Sequence, residues 1–274
     1  MSTATLPAAA APREARTTIG VRNVIRSEWT KLRSVRSTYW TAIVALLVGV
    51  GITVLGCAEM VHNFARERDH LIGFDAANFS LQSLYAAQIA LGTLGVLTIT
   101  GEYATGMIRT TLTSVPQRRA VIALKALVYG LAMLVIGEIM SFAAFGIGQA
   151  ILHEKHLGVS LSDPGVLRVV FGGGLYLTTV GLLAFGLGAL LRRTAAGLAT
   201  FFGVLFLPSA LIDLLPNSWR ADAIKFAPAN AGTQILNRTR VHDMLGPWQG
   251  LGMLALYAGI ILLGALYLVG RRDA

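Results

Sequence analysis

The four lysines are the first residues to test for chemistry, because nucleotide hydrolysis leaves a sharp signature around a lysine. A phosphate-binding loop needs Gly-Lys followed by Ser or Thr, since the lysine pairs with phosphate and the hydroxyl holds magnesium. Lys31, Lys125, Lys155 and Lys225 are followed by Leu32, Ala126, His156 and Phe226, and none fits. Any hydrolysis of nucleotide that drives this protein is therefore expected in another chain. Hydrolytic motifs are no closer. Neither HExxH nor GxSxG occurs, and His153-Glu154-Lys155-His156 has the wrong spacing for a zinc-binding helix; it reads as a solvated charge cluster. Cys57 is the single cysteine, which leaves no internal disulfide and no thiolate metal site. No catalytic residue, metal ligand or bound cofactor is expected in this chain.

One ionisable residue stands deep in an apolar run. Glu138 lies near the middle of the stretch from Ala126 to Leu152, where an acid costs about 2.5–3.5 kcal/mol on insertion scales and faces the interior of a helix bundle as a rule. Ser141, Phe145, Gly148 and Gln149 follow on nearly the same face. Two readings stand side by side. Glu138, with Ser141, lines a substrate path or carries a proton; or it makes a protonated or hydrogen-bonded contact between helices.

The elements that must position these residues follow from composition. The 274 residues are 54% hydrophobic and only 14% charged, with a mean hydropathy of +0.63, whereas a soluble domain has about a quarter of its residues charged. Several uncharged runs reach the roughly 20 residues that cross the hydrocarbon core as a helix. The expected fold is all-α and polytopic, with six spans near Thr38–Ala58, Phe79–Thr100, Ala126–Leu152, Val169–Leu191, Thr194–Leu214 and Trp248–Gly270. Residues 1–17 carry Ala and Pro without an apolar core, so they read as a disordered tail rather than a secretory signal. Residues 18–274 form one transmembrane domain.

Thr18 to Ser37 reads as an amphipathic helix. Val21, Ile25, Trp29, Leu32 and Val35 fall on one face, while Arg22, Arg26, Lys31, Arg33 and Arg36 occupy much of the rest. Such a helix lies in the headgroup plane, with Arg26, Lys31 and Arg33 on anionic lipid and Trp29 at the interface. The net charge of +9 is a topology signal here, not a sign of nucleic acid. Fifteen of the 23 Lys and Arg fall in the N-terminal flank, in 101–125, at Arg192–Arg193 and at Arg271–Arg272. The positive-inside rule then puts both termini in the cytoplasm of a cell-membrane protein. The opposite connection from Pro216 to Pro247 contains Ala223–Leu236, too apolar for a solvated loop and too polar for a span. It is expected to form short helices that dip into the outer interface and re-enter the membrane, shielded by protein. Pro208 and Asp213 suggest a kinked outer end for the fifth span.

The longest polar connection on the cytoplasmic side is Gly101–Lys125. Tyr103, Met107, Ile108, Leu112 and Val115 make a helical stripe after Glu102, and Pro116 cannot continue that ladder. Arg118 and Arg119 follow before Val121, Ile122 and Leu124 lead into the third span. This reads as a helical hairpin projecting from the inner surface, a docking surface rather than a reactive one.

Glu102-Tyr103-x-x-Gly106-x-Ile108-Arg109-x-x-Leu112, then Pro116-x-Arg118-Arg119 and Lys125, resembles the permease subunits of type-2 ABC exporters. The approach Ser27–Ser34 and the outer Ala227–Gly232 are also similar to such permeases, especially those of high-GC Gram-positive bacteria. The resemblance implies a permease that couples ATP hydrolysis in a separate nucleotide-binding subunit, where ATP and Mg are bound, to export of a hydrophobic or amphipathic substrate. It implies a second permease copy or paralogue, and contact of the ATPase with Glu102, Gly106, Arg109, Leu112, Pro116, Arg118 and Arg119. Two rivals remain open: an ion-coupled secondary transporter or channel using Glu138, and a non-transporting membrane scaffold or sensor subunit.

Overall fold

The computed structural model describes residues 26–30, 36–64, 74–108, 118–212 and 214–271. Among them there is no strand, and six helices are long and apolar enough to cross a membrane. The fold is all-α and polytopic. The first span is α1 (Arg36–His62). The second comes in two pieces, α2 (Ala76–Ser80) and α3 (Leu84–Ala104). Then come α4 (Arg118–Leu152), α5 (Val166–Leu191) and α6 (Thr194–Ile212). Two short helices, α7 (Asn217–Phe226) and α8 (Pro228–Thr233), precede the last span, α9 (Pro247–Arg271). An even number of such helices brings the start of α1 and the end of α9 to one face, called here the proximal face.

The spans lie where the uncharged runs place them, with three differences of physical interest. The third extends eight residues towards its N-terminus, to Arg118. At 35 residues it is about 52 Å long, well beyond a hydrocarbon core of about 30 Å, so it is longer than a single crossing needs. The helix leading out of the second span stops at Ala104 rather than running on through Val115. Thr105 caps it, donating its N–H to the carbonyl of Gly101, and Gly106 follows at φ +70, a conformation that glycine adopts without steric cost. The continuous stripe from Tyr103 to Ile108 is thus broken. Pro208 falls inside α6, in its last turn, and Asp213 lies outside the described residues.

The third difference is the break at 81–83. There the main chain tightens to i→i+3 bonds, with Leu81 donating to Asn78 and Leu84 to Leu81. Carbonyls released by such a break have no water to turn to at membrane depth. Side chains from the neighbouring spans satisfy them. Thr53 donates to the Ser80 carbonyl at 3.2 Å, and Gln149 to the Ala76 carbonyl at 3.0 Å.

The centre of the fold is α5, the most buried of the six spans. It packs against α3, α4, α6 and α9. Lipid tails are as apolar as leucine, so helices associate in a membrane by close packing rather than by escape from water. The run Gly172-Gly173-Gly174 shows how: a Cβ on the first would overlap Ile235, on the second Ser141, on the third the Glu138 carboxyl. Higher on the same helix, Gly181 brings its carbonyl to within 2.7 Å of where a Cβ on Gly95 of α3 would stand. The glycines of α9 divide differently. Gly250 abuts the Ala231 carbonyl, whereas Gly252 and Gly259 have nothing within 4 Å.

These contacts separate packing glycines from idle ones. Gly95→Ala forces a methyl group onto the α5 main chain and should cost about 1–3 kcal/mol, read as a lower thermal unfolding midpoint in detergent. Gly252→Ala should leave that midpoint unchanged; equal shifts would refute the assignment.

Candidate functional site

Three stretches remote in sequence meet at the proximal face. Lys125, in the first part of α4, is 4% exposed, and Glu28, on the helical turn 26–30, is 6% exposed. The Lys125 ammonium lies 2.6 Å from Glu28 Oε2 and 2.6 Å from Glu102 Oε1. One lysine thus ties the N-terminal segment to the end of α3 and the foot of α4. Beside it is a cavity of about 10 Å³, lined by Thr98, Ile99, Val128, Tyr129 and Phe185 besides the three charged residues, room for about one water. Around this core, Arg192 caps α5 in the left-handed conformation at φ 57 and lays its guanidinium over the Tyr103 ring, 5.4 Å from its centroid. Ile108 is buried while Met107 is exposed. Arg119 packs on the last turn of α9, its Nε 2.7 Å from where a Gly270 Cβ would be, close to carbonyls that a cation stabilises.

Of the expected docking residues, Glu102, Gly106 and Arg119 fall on this face. Glu102 turns inward to Lys125 rather than outward, Gly106 serves as the helix stop, and Arg119 is exposed. Arg118 opens α4. Arg109, Leu112 and Pro116 lie outside the described residues, as do Lys31 and Arg33 of the expected lipid-facing helix. Arg26 and Trp29 are exposed, while their neighbour Glu28 faces the protein.

A second polar assembly closes the distal face. Arg168, in the first turn of α5, donates to the carbonyls of Asn237 at 3.0 Å and Arg238 at 2.9 Å. Asp75 caps α2 through the N–H groups of Ala77 and Asn78, and its other oxygen accepts the Arg238 N–H at 2.8 Å. Asn78 donates to the Leu236 carbonyl. These bonds hold 234–238 down on the bundle. Ahead of them Ala231, Gly232, Ile235 and Leu236 are buried. Gly232 packs on Tyr176, ten residues along α5, about 15 Å from its start. The second part of the Ala223–Leu236 segment, from Ala227, therefore packs into the bundle, whereas Phe226 is exposed. Tyr176 in turn bonds to Gln88 of α3 at the floor of this insertion.

Glu138 and Ser141 both face the glycines of α5. Ser141 donates to the Val170 carbonyl at 2.5 Å, and both Glu138 oxygens are buried against α5 without a hydrogen-bond partner. His153–Lys155 form an exposed 3-10 turn. Sequence reasoning missed Glu28, Arg168 and the Gln88–Tyr176 pair. A signal existed for Glu28, the single acid between Glu14 and Glu59 in a strongly basic flank; for the others only the fold reveals the partner. No protein-family model matches this chain, and no curated protein matches it either.

The charge cluster makes a directional expectation. Breaking a buried ion pair from one side strands its partner, at about 3–5 kcal/mol. Lys125→Met should therefore lower the thermal midpoint sharply in detergent. Adding Glu28→Gln and Glu102→Gln to Lys125→Met should recover much of the loss. A triple variant no better than Lys125→Met would show that the lysine acts through packing rather than charge.

Proposed function

We propose that this chain is the membrane-spanning permease subunit of an ATP-driven exporter of the type-2 ABC class, with both termini in the cytoplasm of a cell membrane. The observation that carries the reading is the Glu28–Lys125–Glu102 cluster at the foot of a helix longer than a single crossing needs. A partner pressing on the 101–125 segment would move α3, α4 and the N-terminal segment together, because one buried lysine joins them. A protein acting only within the bilayer has no need of such a lever.

The charge distribution supports the same orientation. Fifteen of the 23 Lys and Arg fall in the terminal flanks and in the two connections that follow the second and fourth spans, and cations of short connections remain on the cytoplasmic side. In this reading a separate subunit binds ATP and Mg and supplies the power stroke. Two permeases enclose the path, and the re-entrant Ala223–Leu236 segment closes its outer end. A bundle whose spans are mainly apolar suits a hydrophobic or amphipathic substrate. The residues proposed to meet the ATPase are Gly106, Arg109, Leu112, Pro116, Arg118 and Arg119, with Glu102 transmitting the movement from inside. Glu138 is set apart from this machinery, since its oxygens face a helix crossing rather than a path.

The test is purification of the tagged protein from its native membrane in mild detergent, with ATPase assays on what co-elutes. An ATPase should be recovered, and Arg109→Ala or Pro116→Ala should reduce its recovery at least severalfold while the permease itself remains folded. Absence of any co-eluting ATPase after crosslinking would overturn the proposal. Undiminished recovery in both variants would move the docking surface off this segment.

A further inference from the structure

Glu138 belongs to neither polar assembly, and its surroundings are peculiar. It sits where α4 and α5 approach to main-chain contact. A Cβ on Gly137 would stand 2.9 Å from the Gly174 carbonyl oxygen, and one on Gly174 would overlap the Glu138 carboxyl itself. Both carboxyl oxygens are shut off from solvent, and neither accepts a hydrogen bond. The nearby hydroxyls are already committed: Ser141 donates to Val170 and Thr178 to Gly174.

No cation stands ready either. Glu138 is the only charged residue of α4 between Lys125 and His153. On the helices packed against α4, α5 has none between Arg168 and Arg192, α1 none between Arg36 and Glu59, and α2, the first eighteen residues of α3 and α9 before Arg271 have none at all. Within those ranges the titratable groups are the thiol of Cys57 and phenols. Tyr129 donates to the Leu91 carbonyl and Tyr176 to Gln88; Tyr85, on α3, is 40% exposed.

We infer that Glu138 is a proton-binding site that latches α4 to α5: the carboxyl holds a proton while the helices are packed and releases it to water only when their crossing opens. The inference does not rest on the exporter reading. A carboxylate with neither donor nor counter-ion, closed off from water, is among the most costly groups a protein can bury. The neutral acid removes that cost and supplies an O–H that can donate to a main-chain carbonyl of the glycine crossing. Ionisation, Glu–COOH to Glu–COO⁻ with the proton passing to water, thus requires the two helices to part. Proton release and separation become one event, so alkaline conditions favour the parted form.

The experiment uses the full-length protein in lipid nanodiscs, with two readouts against pH. The first is the infrared carbonyl stretch of a protonated carboxylic acid. The second is the distance between spin labels at the lipid-facing positions Ile139 and Phe171, on a Cys57→Ser background. At neutral pH the acid band should be present, lost in Glu138→Gln and shifted in Glu138→Asp. On alkalinisation the band should disappear while the label distance lengthens, and Glu138→Gln should show no such pH dependence. Absence of a band that responds to Glu138 substitution at neutral pH would overturn the proposal, as would loss of the band at constant label distance. Should Glu138→Gln not fold, Glu138→Asp and the paired titrations of the unsubstituted acid decide the question.

Discussion

Everything in this fold depends on how closely main chains can approach α5. In a bilayer, apolar surface gains nothing by hiding from lipid, so association must come from dispersion contacts and interhelical hydrogen bonds. The glycines of α5 admit three side chains from two neighbouring stretches: Ile235 at Gly172, and Ser141 and Glu138 of α4 at Gly173 and Gly174. A side chain at any of them would push a whole element away. Outer spans such as α1, α6 and α9 are by contrast mostly exposed along their apolar windows, as helices bathed in lipid should be.

Once α5 is the axis, the polar groups sort by depth. In the apolar layer many of them are spent on main-chain carbonyls: Thr53 and Gln149 beside the break before α3, Tyr129 on Leu91 and Ser141 on Val170. At the two faces, charged side chains tie together elements far apart in sequence. Arg168 and Asp75 fasten the distal segment, and Lys125 fastens the proximal one. The middle is set by fit and the faces are set by charge. Glu138 is the exception, an ionisable group in the fitted layer, and that anomaly is what makes a proton its natural partner.

Much of this was legible in the sequence because the bilayer imposes so simple a rule. Uncharged runs of about 20 residues mark spans whatever they pack against, and the six spans fall close to those runs. The apolar-but-polar composition of Ala223–Leu236 was legible for the same reason: it fitted neither solvent nor lipid, so it had to be shielded by protein. What could not be read were pairings. That Glu28 meets Lys125, 97 residues away, depends on how three helix ends converge, and no local pattern encodes it. The stripe from Tyr103 to Val115 misled for a related reason. Periodicity spoke for one continuous helix, but Gly106 offered a stop, and a positive φ there outweighed the apolar spacing.

The two faces are linked through the same helices, and this gives the arrangement its mechanical sense. The α4 helix carries Lys125 near one end and Gln149 near the other, and the second span carries Glu102 at one end and Asn78, in α2, at the other. Helices are stiff along their axes, so in the proposed exporter a displacement imposed where Lys125 holds them would be felt at the polar ties of the far face. The break at 81–83 lies just short of those ties, with i→i+3 bonds of the kind that mark hinges. A rigid span would either resist the push or tear Asn78 from the segment it anchors. A span interrupted there can tilt below the break while α2 stays with Asp75 and the distal closure. In the proposed exporter the stabilised discontinuity in the second span would let one end of the protein move before the other gives way.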